Sequence, residues 1–393
     1  MPLNDSVSTV PSAPSSEAVA HCARFVAPCT QALELFDEKT PLCLDSGQQL
    51  APVRVAYQTW GRLNQRGDNA ILICHALTGD AHAWSTPDSS DQHKGWWDGL
   101  IGPGKCLDPN RYFLICTNVL GSCYGTTGPV TPCFSDNQPL GMRFPQVTIR
   151  DMVRLQHKLM DALGVTSLAA VIGGSVGGFQ VLEWGLMYPE FARSLIPIAT
   201  TGRHRPWAMA FNEIARQAIV GDPVWNGGAY SSQPSKGLAL ARMGAMISYR
   251  HHRAYAQKFS ARGASEVQDQ PVTSYLNYQG DKFHRRFDAN TYLRLIEAMD
   301  SHDLGRGRGG LDHALNSLKQ PTLWIAFDSD ELYPVEEQWG DARRVANARF
   351  VRLSSHQGHD AFLIEFEHMR LPLQSFLAKY SAFTDHQPRE VAS

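Results

Sequence analysis

Short apolar runs punctuate the chain, and their spacing predicts the fold before any motif is considered. Val53 to Trp60, Asn69 to Cys74, Arg111 to Cys116, Leu168 to Ile172, Ser194 to Ala199, Thr322 to Phe327 and Phe350 to Leu353 each read as a strand. From Val147 onward they alternate with segments whose apolar residues recur at helical spacing. That alternation predicts an α/β class: a doubly wound, mostly parallel sheet with helices on its faces. Between Thr201 and about Lys319 the pattern changes to long amphipathic stretches with aromatic residues and no convincing strand, which predicts an inserted helical lid. The expected organisation is therefore a core over 23–200 and 320–380, a lid over 201–319, and tails over 1–22 and 381–393. No internal repeat interrupts it.

Composition narrows the function classes. With 393 residues, 43% of them apolar, the chain can bury a large core. The formal net charge of −2, with acids and bases spread along the chain, offers no basic field for nucleic acid. No apolar run reaches the roughly 18 residues of a membrane span. Met1 to Ala20 is rich in Ser, Pro and Ala and lacks both a basic start and an apolar segment, so a disordered tail is expected there and not a signal peptide. All eight cysteines lie at or before Cys133 and none forms a Cys-x-x-Cys pair. No zinc pattern arises, no metal is expected, and strand cysteines such as Cys74 and Cys116 read as reduced core residues of a cytoplasmic protein.

The stretch Val171-Ile172-Gly173-Gly174-Ser175-Val176-Gly177-Gly178 places Gly-x-Ser-x-Gly between a strand-like and a helix-like run. That is the context of a nucleophile elbow, in which a serine sits at the apex of a strained turn crowded on both sides. A serine nucleophile needs a base, and the base needs an orienting group. Thr322 to Phe327 runs into Asp328-Ser329-Asp330, and the last strand runs into His356-Gln357-Gly358-His359-Asp360. Asp328 and Asp330 share a face of an extended chain, and His356 competes with His359. Gly358 suits a tight loop that presents the next imidazole, so Asp330 and His359 are assigned with Ser175. The chain order Ser, Asp, His is that of the α/β-hydrolase fold. An oxyanion hole needs two backbone N–H groups, expected at Val176, after the nucleophile, and at Leu77, after the strand Asn69 to Cys74. His75, upstream of the nucleophile, is expected to shape that loop.

Beyond the elbow, the chain resembles the homoserine O-acetyltransferases and their close relatives from about Ala51 to Ala378. The resemblance rests on His75-Ala76-Leu77-Thr78-Gly79-Asp80, Gly95-Trp96-Trp97-Asp98, Asn118-Val119-Leu120-Gly121, Gly125-Thr126-Thr127-Gly128-Pro129, Arg216-Gln217-Ala218-Ile219, Trp225-Asn226-Gly227-Gly228, His302-Asp303-Leu304-Gly305-Arg306-Gly307 and Gly358-His359-Asp360. It implies ping-pong acyl transfer from acetyl-CoA, a co-substrate and not a resident cofactor, to L-homoserine in methionine biosynthesis. It also implies a homodimer formed through lid helices. By the same resemblance Arg242 receives the acceptor's carboxylate and Asp360 its ammonium. Relatives that use succinyl-CoA carry an arginine where this chain has Asp330-Glu331-Leu332-Tyr333-Pro334, and a glutamate there would repel succinate. The His-Ala-Leu-Thr-Gly loop favours homoserine over serine. The chain departs from the family pattern at Val176 and Phe179, where methionine is usual. An esterase on the same fold is the alternative from another class.

Overall fold

The computed structural model describes residues 29–86, 94–133, 135–259 and 271–381. The tail expected over 1–22, Cys22, and residues 382–393 lie outside the described residues. Ten strands form among the described residues: β1 Gln31–Phe36, β2 Leu42–Cys43, β3 Gln49–Leu50, β4 Val53–Trp60, β5 Ala70–Cys74, β6 Phe113–Thr117, β7 Leu168–Gly174, β8 Leu195–Ile198, β9 Thr322–Phe327 and β10 Ala348–Leu353. Eight of them make one sheet in the order β1-β4-β6-β5-β7-β8-β9-β10, while β2 and β3 pair separately. Only β1 with β4 and β4 with β6 run antiparallel; every other pair in the large sheet is parallel. The mostly parallel α/β architecture expected from the alternating pattern is the one found.

The central strands read as unbroken apolar runs because both of their faces are covered. In β5, Leu72 and Cys74 join one apolar cluster, while Ile71 and Ile73 join another on the opposite face. In β9, Trp324 goes one way and Leu323, Ile325 and Phe327 the other. Helices α1 (Ile149–Ala162) and α2 (Val176–Met187) cover the first face, and the helix Phe366–Tyr380 covers the second through Met369, Leu373, Phe376 and Leu377. Thr148 starts α1 with a capping box: its hydroxyl accepts from the Asp151 amide and the Asp151 carboxylate accepts from the Thr148 amide.

Two differences from the sequence reading have plain causes. Strand β1 was not expected; it sits at the sheet edge, mostly exposed, and its Gln31 and Glu34 blur the apolar signal. Strand β7 continues past Ile172 through Gly173 and Gly174, which pair with Cys74, Pro197 and Ile198 although glycine reads as a turn former. Ser381, counted above with the C-terminal tail, is fully buried, and its hydroxyl donates to the Ala169 carbonyl at 3.4 Å.

Between β8 and β9 the chain forms α3 Pro206–Val220, α4 Ser235–Ser248, α5 His252–Phe259, α6 Pro271–Arg286, α7 Ala289–Asp300 and α8 Leu311–Ser317. Helix α4 packs against both α3 and α6. Among the described residues no helix is long and apolar enough to cross a membrane, and no group of His, Cys, Asp or Glu is arranged to hold a metal ion.

Candidate active site

Strand β7 passes into α2 through Ser175, whose backbone is forced to φ 59° and ψ −122°. A non-glycine residue held there costs roughly 1–3 kcal/mol and persists only where the surroundings fix it. They do: the Ser175 amide donates to the Ile198 carbonyl at 2.9 Å, and the Thr200 hydroxyl donates to the Ser175 carbonyl at 2.9 Å. A side chain at Gly177 would begin 2.1 Å from the Cys74 carbonyl oxygen, so the helix can close onto β5 only with glycine at that position.

Ser175, His359 and Asp330 lie in one hydrogen-bonded line. Ser175 Oγ is 2.8 Å from His359 Nε2, and His359 Nδ1 is 2.9 Å from Asp330 Oδ2. The other Asp330 oxygen accepts from the Leu332 and Tyr333 amides at 3.0 and 2.9 Å, so this buried carboxylate is held on both sides. A carboxylate at Nδ1 fixes the proton there and leaves Nε2 free to accept from the serine hydroxyl. Asp328 is engaged elsewhere, accepting from the Ser355 amide at 3.0 Å, and His356 is exposed. Tyr249, Tyr333 and Phe362 surround the His359 ring.

The Leu77 and Val176 amides find no protein acceptor among the described residues. His75 is buried beside them and structural: its Nδ1 is 2.7 Å from the Ala76 carbonyl and its Nε2 accepts from the Val119 amide at 3.2 Å. Burial holds its pKa below the usual histidine range, although the Ala76 carbonyl and Asp80 pull the other way.

Asp360 follows His359 directly in the chain, and Arg242 reaches the Tyr249 ring that packs against His359. Arg242, on α4, makes no ion pair among the described residues; its guanidinium lies 5.1 Å from the Phe283 ring centre and 5.8 Å from that of Tyr249. Asp360 forms an ion pair with Arg250, its carboxylate 3.1 Å from Nε. Burial raises the Asp360 pKa, while Arg250, Arg242 and His359 pull it back down. Arg250 also donates to Gln357 at 2.7 Å, and the Asp360 amide donates to the Tyr249 carbonyl at 3.0 Å. A Cβ at Gly358, whose φ is 71°, would meet the His251 amide at 2.5 Å. The loop carrying His359 is thus fastened directly to the end of α4.

Sequence reasoning missed Arg250 and Arg286. Arg286, the last residue of α6, donates to the Thr78 carbonyl at 3.0 Å and the Tyr124 hydroxyl at 2.6 Å, gripping the loop that carries the Leu77 amide. Nothing local marks either arginine, since their partners lie 107 and 208 residues away in the chain.

Comparison with known proteins agrees with this fold. Residues 69–366 match the family model described as the alpha/beta hydrolase fold. The chain is 48% identical over 350 residues to a homoserine O-acetyltransferase of Carboxydothermus hydrogenoformans, covering 86% of this chain and 92% of that protein. It is 48% identical over 348 residues to one from Nostoc punctiforme, covering 87% and 94%. Among solved structures it is similar to a homoserine O-acetyltransferase from Bacillus anthracis, with a TM-score of 0.83 and 28% identity over 90% of this chain and 98% of that one. It is also similar to esterase E22, with a TM-score of 0.82 and 27% identity over 88% and 99%.

Proposed function

The chain belongs to the homoserine O-acetyltransferase family, and from that premise we propose how its own residues carry out acetyl transfer from acetyl-CoA to the hydroxyl of L-homoserine. The observation that carries the reading is the unbroken line from Asp330 through His359 to Ser175.

His359 Nε2 takes the Ser175 proton as the oxygen attacks the thioester carbon. The oxyanion that forms points at the Leu77 and Val176 amides, whose N–H groups are not spent on any acceptor among the described residues. Collapse breaks the carbon–sulfur bond; the thiolate takes the proton from His359 and leaves as CoA, with the acetyl group on Ser175. In the second half, the homoserine hydroxyl gives its proton to the same nitrogen and attacks the acetyl carbon. The Ser175 oxygen then departs and recovers that proton, closing the cycle. Asp330 keeps the imidazolium stable throughout and does not itself need to be protonated.

Arg242 receives the acceptor's carboxylate, a match supported by its lack of an ion-pair partner among the described residues, and Asp360 receives the ammonium. Arg250 pairs with Asp360, so the ammonium shares or displaces that guanidinium. Glu331, one residue past the orienting carboxylate, favours acetyl over succinyl donors. The core over 23–200 and 320–380 supplies the chemistry in this reading and the lid over 201–319 the acceptor recognition. A homodimer through the lid is supported by its exposed apolar side chains, Trp207 on α3, Ile247 on α4 and Tyr278 on α6 among them; a monomer mass in sedimentation would exclude it. The free cysteines fit a reducing, cytoplasmic setting.

The decisive experiment measures CoA release from acetyl-CoA and from succinyl-CoA with L-homoserine, L-serine or water as acceptor, Ser175→Ala serving as the blank. Preference for acetyl-CoA with homoserine by about tenfold or more, roughly 1.4 kcal/mol, sustains the reading. Equal turnover with water makes the protein an esterase and removes the roles of Arg242 and Asp360.

A further inference from the structure

Behind the catalytic line lies a buried cluster that the reaction above leaves without a role. Tyr333 is fully buried. Its amide donates to Asp330, and its ring stands edge-on to the His359 imidazole with centres 5.1 Å apart at 72°. Its hydroxyl meets His204 Nδ1 at 3.0 Å. His204 is buried in turn, with Asn212 of α3 at 3.2 Å from its Nε2. The same Asn212 nitrogen donates to Asp300 at 2.8 Å, and Arg216, also on α3, binds the other Asp300 oxygen.

The tautomer follows from these partners. A carboxylate on one side requires the Asn212 amide to present its NH2 group there, and that group then also faces His204 Nε2. The Asp300 carboxylate also stands 3.6 Å from that nitrogen, but the NH2 group is nearer at 3.2 Å. Nε2 therefore accepts, and the His204 proton sits on Nδ1 and is donated to the Tyr333 oxygen. Burial and repulsion from His359 push the His204 pKa down to about 4, keeping the ring neutral at physiological pH. A tyrosine ring held only by apolar neighbours can tilt, whereas one fastened at its hydroxyl and at its backbone cannot. The imidazole that packs against it must hold its direction toward Ser175 within narrow limits for proton transfer.

We propose that His204 is a positioning residue for acyl transfer, fixing the plane of the His359 imidazole through Tyr333 and making that plane depend on the seat of lid helix α3 through Asn212. The proposal rests on the reading of Ser175, His359 and Asp330 given above.

The test is the pre-steady-state burst of CoA from acetyl-CoA without homoserine, in the full-length protein and in Tyr333→Phe, His204→Gln and the two combined. Each single change is expected to slow the burst about tenfold at unchanged KM for acetyl-CoA. The double variant should be no slower than the slower single, because both changes cut one link. Losses that multiply in the double variant overturn the proposal, as does a burst at the wild-type rate in the single variants. Tyr333→Phe removes one oxygen and no ring volume, so it decides alone if His204→Gln does not accumulate: an unchanged burst overturns the proposal, and a tenfold slower one at unchanged KM and melting temperature sustains it. Ser175→Ala separates the two levels of failure. A burst that survives in Ser175→Ala defeats the reading of the nucleophile, whereas one lost there but normal in Tyr333→Phe defeats the positioning role alone.

Discussion

Two carboxylates that sit 30 residues apart in the core, one bonded to His359 and the other next to it in the chain, are held in opposite ways. Asp330, at the end of a sheet strand, is buried and accepts three hydrogen bonds, two from backbone amides and one from His359. Asp360, where the histidine loop meets the lid, has an arginine from the lid side and a pKa raised by burial. The first is fixed to one task, and the second has a partner that a ligand's ammonium could replace. In the proposed reading the difference teaches where this fold would separate its duties: bond-making groups locked at strand ends, and recognition groups facing the lid with looser partners.

The largest expected effect breaks that division if it fails. Ser175→Ala should reduce CoA release on the order of 10⁴-fold or more, as removal of a triad nucleophile does. Acetyl-CoA binding, measured by equilibrium dialysis, should change little. Residual turnover near a tenth of the starting rate would put the chemistry somewhere other than the strand ends.

On the lid side, Asp360→Asn or Arg242→Met should raise the homoserine KM about 100-fold, the worth of one charge-assisted pair at roughly 2.7 kcal/mol. The CoA burst without acceptor should stay within about twofold of its starting value. A burst that collapses along with acceptor affinity would show that these residues serve the chemistry as well, and the two tasks would no longer be divided.

How much of this was legible in the sequence follows the same line. The strands buried on both faces announced themselves, and so did Ser175, because its glycines are demanded by backbone approaching backbone. Asp330 and His359 were found because each follows a strand. Edge strand β1 was not found, since an exposed strand has no continuous apolar signature. Arg250, Arg286, His204 and Tyr333 were not singled out either: what gives each its place is contact with a residue far away in the chain, such as the 129 positions between His204 and Tyr333. Local pattern carries no trace of such a contact.

Acid stability sharpens the comparison from within the buried cluster. His204 has an unfolded pKa near 6.5 and a folded value of about 4, so between them the unfolded chain binds more protons. Stability therefore falls as pH drops from about 6.5 toward 4, and at pH 5 this one group removes about 2 kcal/mol relative to pH 7. His204→Gln should retain that amount, read as a smaller shift of the urea midpoint between pH 7 and pH 5. His75, also depressed by burial, acts in both proteins and cancels in the difference, whereas His302, which His204 helps to depress, is itself relieved by the substitution and adds to the retained stability. Parallel midpoint shifts in the two proteins would mean that His204 takes up its proton without leaving the cluster.

The smallest effect concerns a residue that crosses the division. Arg286 ends a lid helix, yet both of its close partners belong to the core: the Thr78 carbonyl beside the Leu77 amide, and the Tyr124 hydroxyl. If the lid served acceptor recognition alone, Arg286→Met would alter the homoserine KM and leave the first half-reaction intact. The contact with the loop argues otherwise. Losing two charge-assisted hydrogen bonds should let the Leu77 amide drift from the developing oxyanion and slow both half-reactions about tenfold, to the same extent with homoserine or water as acceptor. Equal slowing of the CoA burst and of overall turnover at unchanged homoserine KM is the expected result. A change confined to the homoserine KM would return Arg286 to the recognition side and leave the oxyanion loop to hold itself. On the geometry, the end of a lid helix and the loop that carries the Leu77 amide are tied together by this one arginine.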